Sequence, residues 1–421
     1  MTQNIVLRRF KDGHVLHFVS LLFVGLLILS CFVSAFSPVS LFTSAIASAS
    51  SVQMVSNEAE LDKAVTNASG STVIALTNDI TLTNQLLISA TKEIILTSNT
   101  NGAKFFKLIG ADNKSTIFVE RNGILRVDGI IVTHNIASAG NGITVRDTGK
   151  LVMSAGEISG NTGVDKNGEA ILGFDMAVGG GVYNMGTFEM SGGVIANNTS
   201  PIDGGGVYNM GTFEMSGGVI ANNTSAGHGG GVYTLSTFKL WDGVIANNSA
   251  KHVGGGVYIY GSLTMSNGSI INNTATSGGG VYFSGDMLTM HSGEISGNTA
   301  TKEGGGVYVT RNPFKLYGGK ISDNQAINGG GIYVTPKQNL LVFDGAQFSN
   351  NQASKSYNRN PLDNDVYLST ISKEVTWTTP FTQGYNNYDI GGDTEGRQNL
   401  TRYMILIGFF ILGFVLVNEF I

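Results

Sequence analysis

Three side chains that could bind a metal or relay protons recur at nearly the same point of a repeated sequence. Asp203 and His228 each stand directly before a Gly-Gly-Gly triplet, and His252 lies one position off the same spacing. If successive repeats stack, one carboxylate and two imidazoles become neighbours, which suits a divalent metal or a proton relay. Turn residues of a stacked array also become neighbours by chance. We therefore predict no metal and no cofactor, and keep these three residues as the candidate ligands.

Two carboxylates share a second position of the repeat. Glu189 and Glu214 occupy the same place in adjacent repeats, and the next repeat has Lys239 there. Clustered acids on neighbouring repeats are what an enzyme that cuts polysaccharides needs for acid–base catalysis or Ca²⁺ binding. A lysine beside them equally fits a solvated face of mixed charge. Residues 179–200 recur identically at 204–225, which favours a scaffold over a single catalytic site. We predict no catalytic residue and retain the polysaccharide-active enzyme as the alternative function.

A tyrosine follows a valine or isoleucine after every Gly-Gly-Gly triplet. In a strand the two side chains point to opposite faces, so we expect the aliphatic residue inside and the tyrosine outside. Stacked tyrosines either stiffen a sheet or form a binding surface for sugar rings or for a partner protein. The predicted binding residues are Tyr183, Tyr208, Tyr233, Tyr258, Tyr282, Tyr308 and Tyr333.

These positions recur because the chain itself is a repeat. The Gly-Gly-Gly-Val-Tyr pentad begins at residues 179, 204, 229, 254, 278 and 304, and again at 329 with Ile332 for valine. A fixed period of this length predicts a solenoid, in which each repeat buries its apolar face against the next. A second element, Ile or Phe followed three residues later by Asn, has the same period. It predicts a structural ladder of stacked turn asparagines at Asn161, Asn198, Asn223, Asn248, Asn273, Asn298, Asn324 and Asn351.

Each repeat reads as three short strands. Val182 and Asn184 alternate with Tyr183, Phe188 alternates with Glu189, and Ile195 follows a Gly-Gly break. Period-two alternation between glycine and asparagine turns is typical of strands, and the helical period is missing. We predict an all-β fold: a single-stranded right-handed parallel β-helix. The inward positions are the valines of the pentad, the Phe188 and Met190 positions with their equivalents, and the isoleucines before the turn asparagines.

The segments before and after the regular repeats are less uniform. Residues 58–68 space their apolar side chains as one short helix, which we expect to cap the open end of the solenoid. We assign residues 51–139 to this cap and irregular rungs, and residues 140–383 to the regular rungs and the last rung. Residues 165–178 lengthen one repeat and are predicted to be a loop, and Val366–Leu368 resembles a further Val-Tyr strand.

Both ends of the chain are apolar. A basic stretch precedes the uncharged run Val15–Phe36, so residues 1–50 are predicted to be a signal peptide or an N-terminal membrane anchor, with lipidation at Cys31 as a further alternative. Residues 384–402 are polar and linker-like. Residues 403–421 are predicted to be a hydrophobic membrane tail.

The composition excludes several classes of protein. Of 421 residues, 58 are glycine and 6 proline, which excludes collagen, and a single cysteine excludes an intrachain disulfide. The net charge of −5 with 13% charged residues argues against nucleic-acid binding.

The Gly-Gly and Ile/Phe-x-x-Asn elements resemble those of right-handed β-helices of the pectin-lyase-like superfamily. They are similar to the repeats of chlamydial polymorphic outer-membrane proteins and other adhesin-like proteins. The resemblance covers residues 140–370 and implies a scaffold. We therefore expect an exported, membrane-anchored, adhesin-like surface protein. Its expected partners are the membrane, through the terminal segments, and a glycan or a protein.

Overall fold

Equivalent strands of successive repeats pair in parallel and in register in the computed structural model of the protein. It describes residues 52–98, 104–135, 139–163, 178–335 and 340–354, and the backbone of three short later strands. All of these lie in one compact unit, Ser50–Ile421. The predicted N-terminal signal or anchor, the tail at 403–421, Cys31 and the Val366–Leu368 strand lie outside the described residues. Within those ranges, no helix is long and apolar enough to cross a bilayer.

Within the described residues the strands form three sheets that run along the solenoid, and the strand counts below refer to those residues. The main sheet has 19 strands: Gln53–Val55, Ser71–Leu76, Ile80–Thr81, Glu93–Ser98, Lys107–Gly110, Ile124–His134, Lys150–Ser159, Thr187–Met190, Val194–Ala196, Thr212–Ala221, Thr237–Ala246, Ser262–Met265, Ser269–Ile271, Met287–Met290, Glu294–Ser296, Phe314–Ser322, Leu340–Ser349, Thr370–Ile371 and Thr376–Trp377.

The tyrosine sheet has 11 strands, one for each turn of the solenoid: Leu86–Ile88, Ile117–Val119, Ile143–Val145, Val182–Asn184, Val207–Asn209, Val232–Thr234, Val257–Ile259, Val281–Phe283, Val307–Val309, Ile332–Val334 and Ile390–Gly392. The short sheet has seven strands: Thr199–Ser200, Thr224–Ser225, Ser249–Ala250, Thr274–Ala275, Thr299–Ala300, Gln325–Ala326 and Gln352–Ala353. The parallel β-solenoid predicted from the repeat is thus confirmed.

The division of each repeat into strands differs from the prediction in two ways. The Phe and Ile strands belong to one sheet, and in Thr212–Ala221 and Thr237–Ala246 they are continuous. In Thr212–Ala221 the glycine pair coincides with a register shift between Met215 and Val219 and does not end the strand. In other rungs, such as Thr187–Met190 and Val194–Ala196, the two strands stay separate, as predicted. The two-residue strands of the short sheet were not predicted, because two residues are too few to show an alternating pattern.

A helix, α1 (Glu58–Asn67), precedes the first full turn, as predicted. The Asn57 side chain caps it by accepting the Glu60 backbone N–H at 3.0 Å. Leu61, Ala64 and Val65 are buried and belong to the solenoid core. The helix therefore covers apolar surface that the first turn would otherwise expose.

Irregular spacing in the sequence does not interrupt the stacking. Ile158 pairs with Ile195 in register although 37 residues separate them. The loop predicted at 165–178 lies outside the described residues except for its last residue. At the other end, Ile332–Val334 pairs with Ile390–Gly392. A strand therefore lies within the segment that the sequence suggested as a linker.

The core is a set of single-residue columns. The predicted inward residues are buried, and the Phe188, Phe213 and Phe238 rings stack with centroids 4.6 Å apart. Glycine triplets let neighbouring turns approach closely, since a Cβ on Gly206 would lie 2.7 Å from the Gly231 carbonyl oxygen. Apolar columns and close backbone approach together keep the rungs in register.

The turn asparagines form a continuous buried ladder. The Asn223 backbone N–H and Nδ2 both donate to Oδ1 of Asn248, each at 3.0 Å. Asn223 Nδ2 also donates to the Ile195 carbonyl oxygen of the preceding rung at 2.9 Å. Each such amide therefore joins three consecutive rungs, and all its polar atoms are satisfied. The same side-chain bond links every pair from Asn161 to Asn351.

Removing one ladder amide should destabilise the solenoid strongly. Asn248→Ala removes the acceptor of the buried Asn223 backbone N–H and of one Asn223 Nδ2 hydrogen, and the donor to the Ile220 carbonyl oxygen. We therefore expect a loss of about 3 kcal/mol in the free energy of unfolding. The matched control is the neighbouring Asn247→Gly. Asn247 is exposed with φ 55°, which glycine adopts freely, and we expect a change within about 0.5 kcal/mol. Denaturant unfolding checks both, and equal losses would contradict the ladder.

Deleting one complete turn should leave a folded protein. Removing residues 204–228 brings Val182 beside Val232 and Phe188 beside Phe238, which repeats contacts that already exist. Because the stability of such arrays is close to a sum of nearest-neighbour terms, we expect a cooperative thermal transition in circular dichroism, slightly below that of the parent. Loss of cooperative β-structure would contradict the stacking of equivalent rungs.

Candidate functional site

The tyrosines form one row on the outer face of the tyrosine sheet. Each is the middle residue of a three-residue strand whose first residue is buried, so the backbone directs the ring outward. Tyr208 and Tyr233 have centroids 4.8 Å apart with planes at 12°, and Tyr233 and Tyr258 have 4.7 Å and 2°. Stacking continues through Tyr282, Tyr308 and Tyr333.

Stacking decides which part of each ring a partner can reach. From Tyr208 to Tyr333 the face of each ring lies against the next ring, so the row presents ring edges and hydroxyl groups. Sugar rings bind aromatic side chains through the ring face. The row therefore lacks the free faces between its members that the sugar-platform interpretation needs.

Tyr183 departs from the expected outward stack. Its ring meets Tyr208 edge-on at 64°, its side chain is only 7% exposed, and its hydroxyl donates to Met210 Sδ at 3.3 Å. This ring therefore does not take part in the parallel stack of the row. The accessible row thus consists of six half-buried tyrosines, Tyr208 to Tyr333.

The row carries no charge at physiological pH. Burial raises the pKa of Tyr208 to about 12, and the nearby Asp203 carboxylate adds to this effect. Burial also raises the pKa of Tyr233, Tyr258 and Tyr282. The phenols therefore remain protonated and can donate hydrogen bonds to a partner.

An apolar column runs beside the tyrosine row. Met210, Leu235 and Tyr260 occupy the same place in consecutive rungs, since each backbone N–H bonds to the strand end of the rung before. Met210 and Tyr260 are 46% and 47% exposed, and the Arg311 guanidinium lies 5.7 Å from the Tyr260 ring centroid. Leu235 between them is half-buried. We call the tyrosine row and this column together the tyrosine face.

The candidate metal residues lie on the other flank of the row. Asp203 Oδ1 accepts the His228 backbone N–H at 2.7 Å, and the His228 ring lies 5.5 Å from His252 and 5.3 Å from Tyr258, between centroids. Burial raises the pKa of Asp203, although the His228 N–H and both imidazoles oppose this. Burial lowers the pKa of His228, with Asp203 opposing.

The contacts of these residues stabilise the turn. The Asp203 carboxylate accepts the His228 backbone N–H, and the His228 ring stacks on Tyr258. Across the described ranges, no group of three or more His, Cys, Asp or Glu side chains has the geometry to hold a metal ion.

The paired carboxylates are neutralised by lysines. Lys150 Nζ lies 2.7 Å from Glu189, and Lys239 Nζ lies 2.7 Å from Glu214. Each acid therefore has its own cation on the side away from the other acid. These glutamates form the mixed solvated face that the sequence indicated, and the geometry gives the polysaccharide-active alternative no support.

Several structurally important residues were missed. Asn184 and Asn209 form a second buried ladder, with Asn184 Nδ2 donating to Asn209 Oδ1 at 2.7 Å. His134 meets the first ladder asparagine, with Nδ1 2.9 Å from Asn161 Oδ1. The repeat contained the signal for the apolar column too, since Met185, Met210, Leu235 and Tyr260 have the same period as the tyrosines.

One part of the chain matches a known family. Residues 292–310 match the family model described as the Chlamydia polymorphic membrane protein repeat. This stretch contains the Ile295–Asn298 element and the pentad that ends at Tyr308. No curated protein and no solved structure matches the chain significantly. The chain therefore combines a parallel β-solenoid with a repeat similar to that of Chlamydia membrane proteins, which suggests a surface protein.

Neutralising Asp203 should stabilise the protein at neutral pH. Because the pKa of Asp203 is higher in the folded state, this carboxyl favours folding below its ordinary pKa of 3.8, and the advantage is lost as pH rises through the folded pKa. Asp203→Asn keeps the acceptor for His228 and removes the charge. We expect a higher melting temperature at pH 7 and no difference at about pH 3.

Asp242→Asn is the matched control for this change. Asp242 is exposed and also accepts a backbone N–H, from Gly243 at 2.7 Å. We expect no gain at pH 7 for this variant. A gain for Asp203→Asn that persists undiminished at about pH 3 would rule out the burial of charge as its cause.

Proposed function

We propose that the protein is an exported, membrane-anchored surface protein whose solenoid presents the tyrosine face to a partner protein during attachment. The family match supports a surface location, and the apolar segments 1–50 and 403–421 support export and anchoring. The solenoid acts as the rigid scaffold.

The observation that carries this proposal is the tyrosine face itself. Six stacked tyrosine rings lie in one row, beside the exposed side chains of Met210 and Tyr260. Tyrosine offers large contact area at low entropic cost, because only two side-chain torsions are fixed on binding. Here stacking has already fixed them, so a partner gains the area with little further loss of freedom.

A protein fits this face better than a glycan. The interior ring faces are covered, whereas edges, protonated hydroxyls and thioether atoms suit the mixed apolar and hydrogen-bonding surface of a protein. Repetition also offers the same contact on several rungs, so weak contacts can add up along one partner or several copies.

Truncating the three tyrosines beside the apolar column should weaken attachment and leave the fold intact. We expect the full-length Tyr208→Ser, Tyr233→Ser, Tyr258→Ser variant, immobilised on a surface, to capture cultured cells at least tenfold less well, since a few aromatic residues dominate such interfaces. Circular dichroism checks that the solenoid remains folded. The corresponding Phe variant keeps the aromatic stack and should retain most of the attachment.

The control lies on the main sheet. Replacing Glu189, Glu214 and Lys239 by Gln changes exposed side chains away from the tyrosine face and should leave attachment unchanged. Protease treatment of the cells should abolish capture by the parent protein. Capture that survives protease, or that is lost only in the main-sheet variant, would refute a protein partner at the tyrosine face.

A further inference from the structure

A second aromatic column lies on the outer face of the main sheet, away from the tyrosine face. Its residues directly follow the inward residues Leu240, Met265, Met290, Leu316 and Val342, which pair with one another in register. Backbone hydrogen bonds confirm the alignment. The Ser266 N–H donates to the Leu240 carbonyl oxygen, and the His291 N–H donates to the Met265 carbonyl oxygen. The column consists of Trp241, Ser266, His291, Tyr317 and Phe343.

Three members of this column stack as one ring per rung. His291 and Tyr317 have centroids 5.1 Å apart with planes at 5°, and Tyr317 and Phe343 have 4.5 Å and 16°. Trp241 and Tyr317 are 44% and 39% exposed, so the column is open to solvent. The rung spacing thus sets a regular position for a ring on each turn.

Ser266 leaves one of these positions without a ring. It stands between Trp241 and His291, which are two rungs and therefore roughly 9–10 Å apart along the solenoid. No ring contact joins Trp241 to His291 in the part of the chain that the structure describes. At the ring spacing found in the rest of the column, one further six-membered ring would fit between Trp241 and His291.

The surroundings of the gap are polar and carry little free positive charge. Ser266 and Thr264 supply hydroxyl groups at its base, and Asn267 is exposed beside it. The nearby Lys239 is ion-paired with Glu214, and the exposed Asp242 carboxylate stands next to Trp241. The Asp242 carboxylate would repel an anionic ligand. The hydroxyl groups of an uncharged ligand could donate hydrogen bonds to the same carboxylate.

We propose that the gap over Ser266 is a binding slot for one pyranose ring of an uncharged saccharide, held between Trp241 and His291. Aromatic walls pack against the C–H faces of a sugar ring, and the hydroxyl and amide groups at the edges bind its hydroxyls. An aromatic side chain of a partner would also stack there, but it would bury the hydroxyls of Ser266 and Thr264 without replacing their water. This slot is independent of the tyrosine face, and its failure or success leaves that proposal untouched.

A variant that fills the slot tests the proposal. Ser266→Tyr supplies the missing ring of the column and should exclude a ligand. Ser191→Tyr is the matched control, since the exposed Ser191 directly follows the inward residue Met190, which aligns through Met215 with Leu240 two rungs later. The probes are methyl β-D-glucopyranoside, methyl β-D-galactopyranoside and p-cresol, titrated into the full-length protein. Trp241 fluorescence reports binding, with the Trp241→Phe protein as the blank.

We expect at least one glycoside to give a saturable change with a dissociation constant of about 1 mM, as suits a single ring. We expect Ser266→Tyr to raise the dissociation constant of that glycoside at least tenfold, and Ser191→Tyr to change it by less than about twofold. If Ser266→Tyr does not unfold at the melting temperature of the parent protein, His291→Ser is used instead. His291 is exposed, so its replacement removes one wall of the slot without disturbing the core, and it should also weaken glycoside binding about tenfold.

Three results would overturn the proposal. The first is that neither glycoside changes the fluorescence. The second is that the slot-filling or wall-removing variant binds as the parent does. The third is that p-cresol saturates the signal while both glycosides fail, which would assign the slot to an aromatic side chain of a partner protein.

Discussion

The hydrogen bonds of the asparagine ladder are the interaction on which the rest of the structure depends. From Asn198 to Asn324, each turn asparagine accepts two hydrogen bonds from the preceding rung at its Oδ1, and its Nδ2 donates to both the preceding and the following rung. A buried amide is costly when any of its atoms lacks a partner. A rung that slipped by one residue would leave its asparagine unpaired, so the ladder fixes the register as well as the stability.

Fixed register is what turns a repeated sequence into rows of identical side chains. Once the turns are held, the Phe188, Phe213 and Phe238 rings stack inside, and the tyrosines stack outside at nearly the same spacing. The glycine triplets serve the same end, because they let the backbone of adjacent turns meet without a Cβ between them. The two surfaces to which we assign binding, the tyrosine face and the slot over Ser266, both result from this spacing.

Periodicity made the solenoid and its inward columns predictable from the sequence, because every repeat shows the same pattern and an error in one is corrected by the others. The orientation of the ring planes was not predictable, because identical Val-Tyr pairs in the repeat give stacked rings from Tyr208 onward but an edge-on ring at Tyr183. The two-residue strands of the short sheet carry too little pattern. The gap at Ser266 became visible only when the register showed that Trp241 and His291 flank it.

Side-chain amide exchange tests the ladder most directly. In NMR spectra of the full-length protein, the Nδ2 protons of Asn198, Asn223, Asn248 and Asn273 should exchange with solvent slowly and to a similar degree, since each amide is buried and fully bonded. The Nδ2 protons of the exposed neighbours Asn197, Asn222 and Asn247 should exchange quickly. Fast exchange at the ladder positions, or equal rates in the two sets, would contradict the ladder and with it the register of both surfaces.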